Sequence, residues 1–246
     1  MDNENIEKIK KEGITMTGVA PIKKNESDEL YSYEPAICKI KFYTLIDNQL
    51  MPSVGTGFFC FIINDNIPFT KALFTNNHVL KEDKIKINEQ ILIEHCKKNY
   101  TLEITKDRKV FTDEELDYTC IQILDTDEIN KKIEKYFQIE QSYCNNRKLI
   151  KDQEIYILQY PNGVLSHSIG KIVDIEDNKI KHSASTNDGS SGSPLIKRYN
   201  NNLILGIHFA SQKNKKEEII YNLATPFDVI IQNICSIVFF FGLKNY

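Results

Sequence analysis

In "STNDGSSGSPLI", residues 185–196, two adjacent serines stand between Gly189 and Gly192. Glycine reaches backbone conformations closed to other residues, so successive N–H groups in such a loop can converge on one point. Convergent N–H donors are what an oxyanion hole requires, and losing one typically costs about 10²–10³ in rate. A serine hydroxyl is a poor nucleophile until a base takes its proton. His78, in "LFTNNHVL", follows an apolar strand and a polar "TNN" and is the base that the sequence offers. A histidine base in turn needs a carboxylate to fix its tautomer and steady the imidazolium. Asp117 opens the otherwise apolar or neutral "DYTCIQIL", whereas Asp113 lies in a charged loop and Asp125 at the far strand end. The order along the chain is then His, Asp, Ser, one of three in which unrelated folds present this geometry. The loop and the histidine each have a plain structural alternative: an ordinary Gly/Ser turn and a structural histidine.

The elements that must hold these residues are mostly short strands. Runs rich in β-branched and aromatic residues occur at 36–46, 55–63, 71–80, 84–95, 100–105, 117–124, 153–160, 168–185, 202–210 and 217–225. The 168–185 run is divided by a turn at Asp177-Asn178, and "LIKRY" after Pro194 forms a further strand. Such runs, broken at short intervals by Gly, Asn and Asp, predict an all-β antiparallel sandwich or barrel. One short helix is predicted at 127–137, capped by Asp127, with Ile129, Ile133 and Phe137 on one face. A second is predicted over the apolar 229–243, which is shorter than the roughly 20 residues a membrane span needs. That helix is expected to pack on the body rather than to contact a membrane.

The chain has 246 residues, with 41% hydrophobic and 26% charged, enough for one large β domain or two small ones. A net charge of −3 gives no electrostatic reason to expect a nucleic-acid partner. Residues 1–34 read as a polar leader without the apolar core of a secretory signal. A reducing, cytoplasmic setting is therefore expected, with the six cysteines as thiols and the sequons at Asn25 and Asn99 unmodified. Cys38, Cys60, Cys120 and Cys235 sit among apolar residues, and no C-x-x-C suggests structural zinc. No metal, nucleotide or other cofactor is called for.

From about residue 36 to 235 the sequence resembles the trypsin/chymotrypsin-like serine peptidases, most of all the compact microbial and protist-type members that lack the animal disulfides. "GTGFF" followed by "TNNHV" resembles the strand pair leading to the catalytic histidine; "LDYTCIQI" resembles the aspartate segment, "GSSGSP" the nucleophile motif and "LILGIHFAS" the strand beside the substrate. The resemblance implies a double six-stranded antiparallel β-barrel (chymotrypsin-like) with the site in the cleft. An N-terminal barrel over 35–145 would supply His78 and Asp117. A C-terminal barrel and helix over 146–246 would supply Ser191, not Ser190, as nucleophile. The backbone N–H groups of Gly189 and Ser191 would form the oxyanion hole. No "IVGG"-like mature N-terminus is present, so activation by that cleavage is not implied.

The stretch "STNDGSSGSP…GIHFAS" also resembles the glutamyl endopeptidases, which implies Thr186 and His208 as walls of the specificity pocket, with Ser211 beside them. A carboxylate entering a barrel loses water and needs hydrogen bonds or positive charge in return. Thr and His can supply them, or can hold a glutamine amide. Asp188 near the rim opposes an acidic side chain, and Ser185 at the pocket base, not being an acid, disfavours a basic one. Backbone groups of Phe209 to Ser211 would pair with the substrate as an added strand. The expected activity is thus a serine endopeptidase acting on protein or peptide, with Glu or Gln before the scissile bond. The alternative is a catalytically silent binding module on the same fold.

Overall fold

A computed structural model describes residues 31–46, 49–139, 150–176, 178–198, 203–216 and 218–241; residues 1–30, with Asn25, and Cys144 lie outside these. Fourteen strands run in chain order among them: β1 (Ile37–Ile46), β2 (Gln49–Phe61), β3 (Lys71–Thr75), β4 (Gln90–His95), β5 (Lys98–Glu103), β6 (Val110–Asp113) and β7 (Tyr118–Gln122). After these come β8 (Gln138–Ile139), β9 (Glu154–Gln159), β10 (Ser166–Glu176), β11 (Lys179–His182), β12 (Pro194–Lys197), β13 (Leu203–Lys213) and β14 (Ile219–Pro226). An α-helix, α1 (Phe227–Phe241), follows the last strand.

Two antiparallel sheets divide the strands. The first has the order β5-β4-β1-β2-β3-β7-β6. The second has the order β12-β9-β10-β11-β14-β13, and a β12–β13 pairing closes these six into a ring. Strand β8 adds to β13 in parallel from outside the ring. This is the chymotrypsin-like double barrel with a C-terminal helix.

Local sequence accounts for most of this. Strand β4 alternates, burying Ile91, Ile93 and His95, and β5 buries Tyr100 and Leu102 on the same side. Their two-residue turn, Cys96-Lys97, has positive φ at both positions (48° and 64°), a backbone whose twist suits the hairpin. Strand β9, hydrogen-bonded on both sides, is buried almost throughout and reads as a continuous apolar run.

Three apolar clusters hold the molecule. One fills the first barrel around Phe59, Leu73, Ile93 and Ile121, and one the second around Ile157, Ile172 and Leu205. The largest lies between the barrels and under α1, joining Phe58, Phe74 and Phe137 to Tyr156, Ile207, Phe227 and Ile234. The rings of Phe74 and Phe227 meet edge to face at 4.8 Å. Because α1 buries Phe227, Ile230 and Ile234, the apolar C-terminal segment is a packing helix as expected, begun two residues earlier. No helix among the described residues is long and apolar enough to cross a membrane. Cys38, Cys60 and Cys120 are buried free thiols; Cys235 is half-buried and Cys96 exposed, also free.

Three expectations need correction. The helix at 127–137 is only a single 3-10 turn, Ile129–Lys131. Asp127 does not cap a helix, because its carboxylate takes two hydrogen bonds from the buried Arg108 guanidinium (2.7 and 2.8 Å) and one from Leu124 N–H (2.7 Å). Ile129 and Ile133 enter the first-barrel cluster while Phe137 enters the central one, so the chain must extend to serve both. The run 71–80 stops being a strand at Thr75, and residues 76–80 turn, with Leu80 N–H donating to Asn76 O. The run 84–95 becomes extended only at Gln90, after a 3-10 turn at Glu82–Lys84 and a left-handed Asn88 (φ 73°).

Candidate active site

His78 stands on the turn after β3, and Asp117 on the turn that leads into β7, the neighbour of β3 in the sheet. Pairing of Thr75 with Thr119 brings the two turns together. Asp117 Oδ2 lies 2.7 Å from His78 Nδ1, and its Oδ1 accepts the His78 backbone N–H at 3.0 Å. The Asp117 backbone is left-handed (φ 50°), and its carbonyl accepts a hydrogen bond from Asn76 Nδ2 at 2.8 Å. The His78 ring remains 43% exposed, so its far edge is open to solvent. Asp113 is committed elsewhere, accepting from Leu116 N–H and from Asn233 Nδ2 of α1, and Asp125 pairs with Lys71.

The glycine-flanked loop arrives from the second barrel between β11 and β12. Ser190 is fully buried, its Oγ accepting Asn187 N–H at 3.0 Å, whereas Ser191 is only half-buried. Gly189 and Gly192 have φ of 92° and 88°. A Cβ on Gly189 would come within 2.4 Å of Tyr160 O, and one on Gly192 within 2.0 Å of Thr56 O. Both positions therefore require glycine for conformation and for space. Among the described residues, no protein acceptor takes the N–H of Gly189 or of Ser191. No hydrogen bond joins Ser191 Oγ to His78 among them either; such contacts commonly tighten only with substrate bound.

His208, on β13, is 3% exposed. Its backbone fastens the serine loop, accepting from Gly192 N–H and donating to Ser193 O, each at 2.9 Å. Behind its ring lies His182 of β11, with Nε2 3.3 Å from His208 Nδ1 and both rings buried. Burial, opposed weakly by the Leu223 backbone, pushes His208 down to about 3; burial and the neighbouring ring hold His182 far below its ordinary range. Both imidazoles are therefore neutral near pH 7.

Thr186 is half-buried, on a segment held by Gln159 Nε2 donating to Ser185 O (3.0 Å) and Asn222 Nδ2 to Ala184 O (2.6 Å). Ser211 is exposed, its hydroxyl bonded to Asn222 Oδ1. Asp188 is exposed, so its charge stays in water. Strand β12 pairs with β13 only as far as Ile207, which leaves the loop-side edge of Phe209–Ser211 beyond the end of that ladder.

His182, Asn222 and Thr56 were not read from the sequence as site residues. His182 carried a signal in "KIKH", where Ile180 and His182 alternate inward on one strand. Thr56, between two glycines in "GTG", carried none by itself.

The profile of the trypsin-like peptidase domain matches residues 55–207, more than half of the chain. The span runs from β2 to β13 and includes His78, Asp117 and the whole serine loop. The protein belongs to the trypsin-like peptidase family.

Proposed function

We propose that the protein is a serine endopeptidase using Ser191, His78 and Asp117. The observation that carries this reading is the two-point grip of Asp117 on His78. A carboxylate on Nδ1 fixes the tautomer that leaves Nε2 unprotonated towards the cleft, ready to take the Ser191 proton. As Oγ forms its bond to the scissile carbonyl carbon, the carbonyl electron pair moves onto oxygen. The unclaimed N–H groups of Gly189 and Ser191 are suited to receive that oxyanion. His78 then returns the proton to the leaving amine, the acyl-enzyme forms, and water reverses the sequence to release the acid. The bound peptide extends as a strand along Phe209–Ser211.

For the side chain before the scissile bond, Thr186 and His208 form the pocket and favour Glu or Gln. A buried His208 that is neutral before substrate binds can hydrogen-bond directly, whereas an ionised glutamate must bring a proton to the ring or rely on hydrogen bonds alone. Glutamine is the better substrate near pH 7, and glutamate gains as its carboxyl becomes protonated. A peptide library incubated with wild type and with Ser191→Ala tests this. Cleavage after Gln ahead of Glu, absent in the variant, is expected; cleavage after Lys or Arg contradicts the pocket, and cleavage that persists in the variant contradicts the nucleophile.

A further inference from the structure

Thr56 belongs to the first barrel, yet it hydrogen-bonds twice to the loop carrying Ser191. It is fully buried on β2. Its Oγ1 donates to Gly189 O at 2.8 Å and accepts Tyr160 N–H at 3.0 Å. Its backbone N–H donates to Ser191 O at 2.8 Å, and its own carbonyl accepts the Thr75 hydroxyl at 2.8 Å.

Tyr160 begins the turn Tyr160–Gly163, in which Asn162 is left-handed (φ 52°) and donates its N–H to Asp188 O at 2.6 Å. The Ser190 carbonyl accepts both Ser193 Oγ (2.6 Å) and Ser193 N–H (3.1 Å). Each carbonyl from Asp188 to Ser191 is thus held by a donor within the protein. In a trans peptide, C=O and N–H point in opposite directions. Tying back the Asp188 and Ser190 carbonyls therefore turns the Gly189 and Ser191 N–H groups the other way, where no protein acceptor meets them. The Thr56 hydroxyl grips the Gly189 carbonyl, between these two peptides, and through Tyr160 N–H it holds the turn whose Asn162 fastens the Asp188 carbonyl.

We infer that Thr56 is a positioning residue that keeps the oxyanion hole preformed, through its hydroxyl on the Gly189 carbonyl and the Tyr160 N–H. This rests on the serine-endopeptidase reading. The buried residue before Ser191 is the neutral Ser190, whose hydroxyl accepts the Asn187 N–H.

Thr56→Val keeps the side-chain shape and the backbone N–H but removes the hydroxyl. With a peptide substrate, kcat is expected to fall about 10- to 100-fold with KM nearly unchanged, part of the effect of losing a donor outright. Affinity for a peptide aldehyde, whose adduct carries the oxyanion, should fall in parallel. Thr56→Ser restores the hydroxyl and should recover kcat to within about threefold. A folded Thr56→Val with unchanged kcat, or an equal loss in Thr56→Ser, overturns the inference. Should the valine variant not fold, Thr56→Ala takes its place: a folded alanine variant with the same loss of kcat is expected, and one with unchanged kcat overturns the inference. Wild type that neither hydrolyses peptide nor takes a fluorophosphonate label instead removes the endopeptidase reading beneath it.

Discussion

Asp117 reaches His78 twice, its two carboxylate oxygens meeting the backbone N–H at 3.0 Å and ring Nδ1 at 2.7 Å. The two residues lie on turns at the ends of adjacent paired strands, so barrel register sets their separation. Asp117→Asn should preserve the fold, because asparagine tolerates the left-handed φ of 50° at this position. It offers Nδ1 an amide in place of an anion and favours the wrong tautomer. A fall in kcat of about 10³–10⁴ is expected, with the thermal unfolding midpoint little changed. Activity within tenfold of wild type would show that Asp117 does not orient the base.

Gly192→Ala places a Cβ 2.0 Å from the Thr56 carbonyl at a φ of 88°. Backbone must move, and it is the backbone that joins the two barrels through the Thr56–Ser191 bond. A loss of about 3 kcal/mol or more in denaturant unfolding is expected, together with loss of hydrolysis. A variant as stable as wild type would mean that the loop has slack which these contacts do not reveal.

The buried pair His182 and His208 makes acid stability a test of how the two rings are held. Both are neutral when folded, His208 titrating only at about 3, whereas an unfolded histidine takes a proton near 6.5. Above that pH they contribute no pH dependence. As pH falls below about 6.5, the unfolded state gains protons that the folded state lacks, so stability drops by up to about 1.4 kcal/mol per pH unit for each. The loss continues until the folded-state values are reached. Urea unfolding at pH 7, 6 and 5 checks this: a loss exceeding about 1 kcal/mol between pH 6 and 5 is expected. A flat profile would mean that the rings are charged or solvated in the folded protein.

Much of the fold could be read along the chain because barrels are built from local alternation. Strands β1, β5, β7, β9 and the β10–β11 hairpin with its turn at Asn178 fall close to their expected places. The segment 127–137 misled because its i, i+4, i+8 apolar spacing suits a helix, while its isoleucines and Phe137 serve two different clusters. Nothing local announces that Arg108 will claim Asp127. The candidate site residues legible in the sequence are side chains with chemistry of their own, such as His78, Asp117 and Ser191, and backbone positions marked by glycine or by a strand motif. Thr56, Asn162 and His182 act through partners distant in sequence, such as Gly189, Asp188 and His208, and only the folded chain brings them together.

The most direct measurement is labelling with a fluorophosphonate, which forms a bond only to an activated serine oxygen. Wild type should label stoichiometrically at Ser191, and Ser191→Ala, where Ser190 and Ser193 remain, should not label at all. Labelling that survives in Ser191→Ala, or a folded wild-type protein that takes no label, would contradict the assignment of Ser191 as the nucleophile.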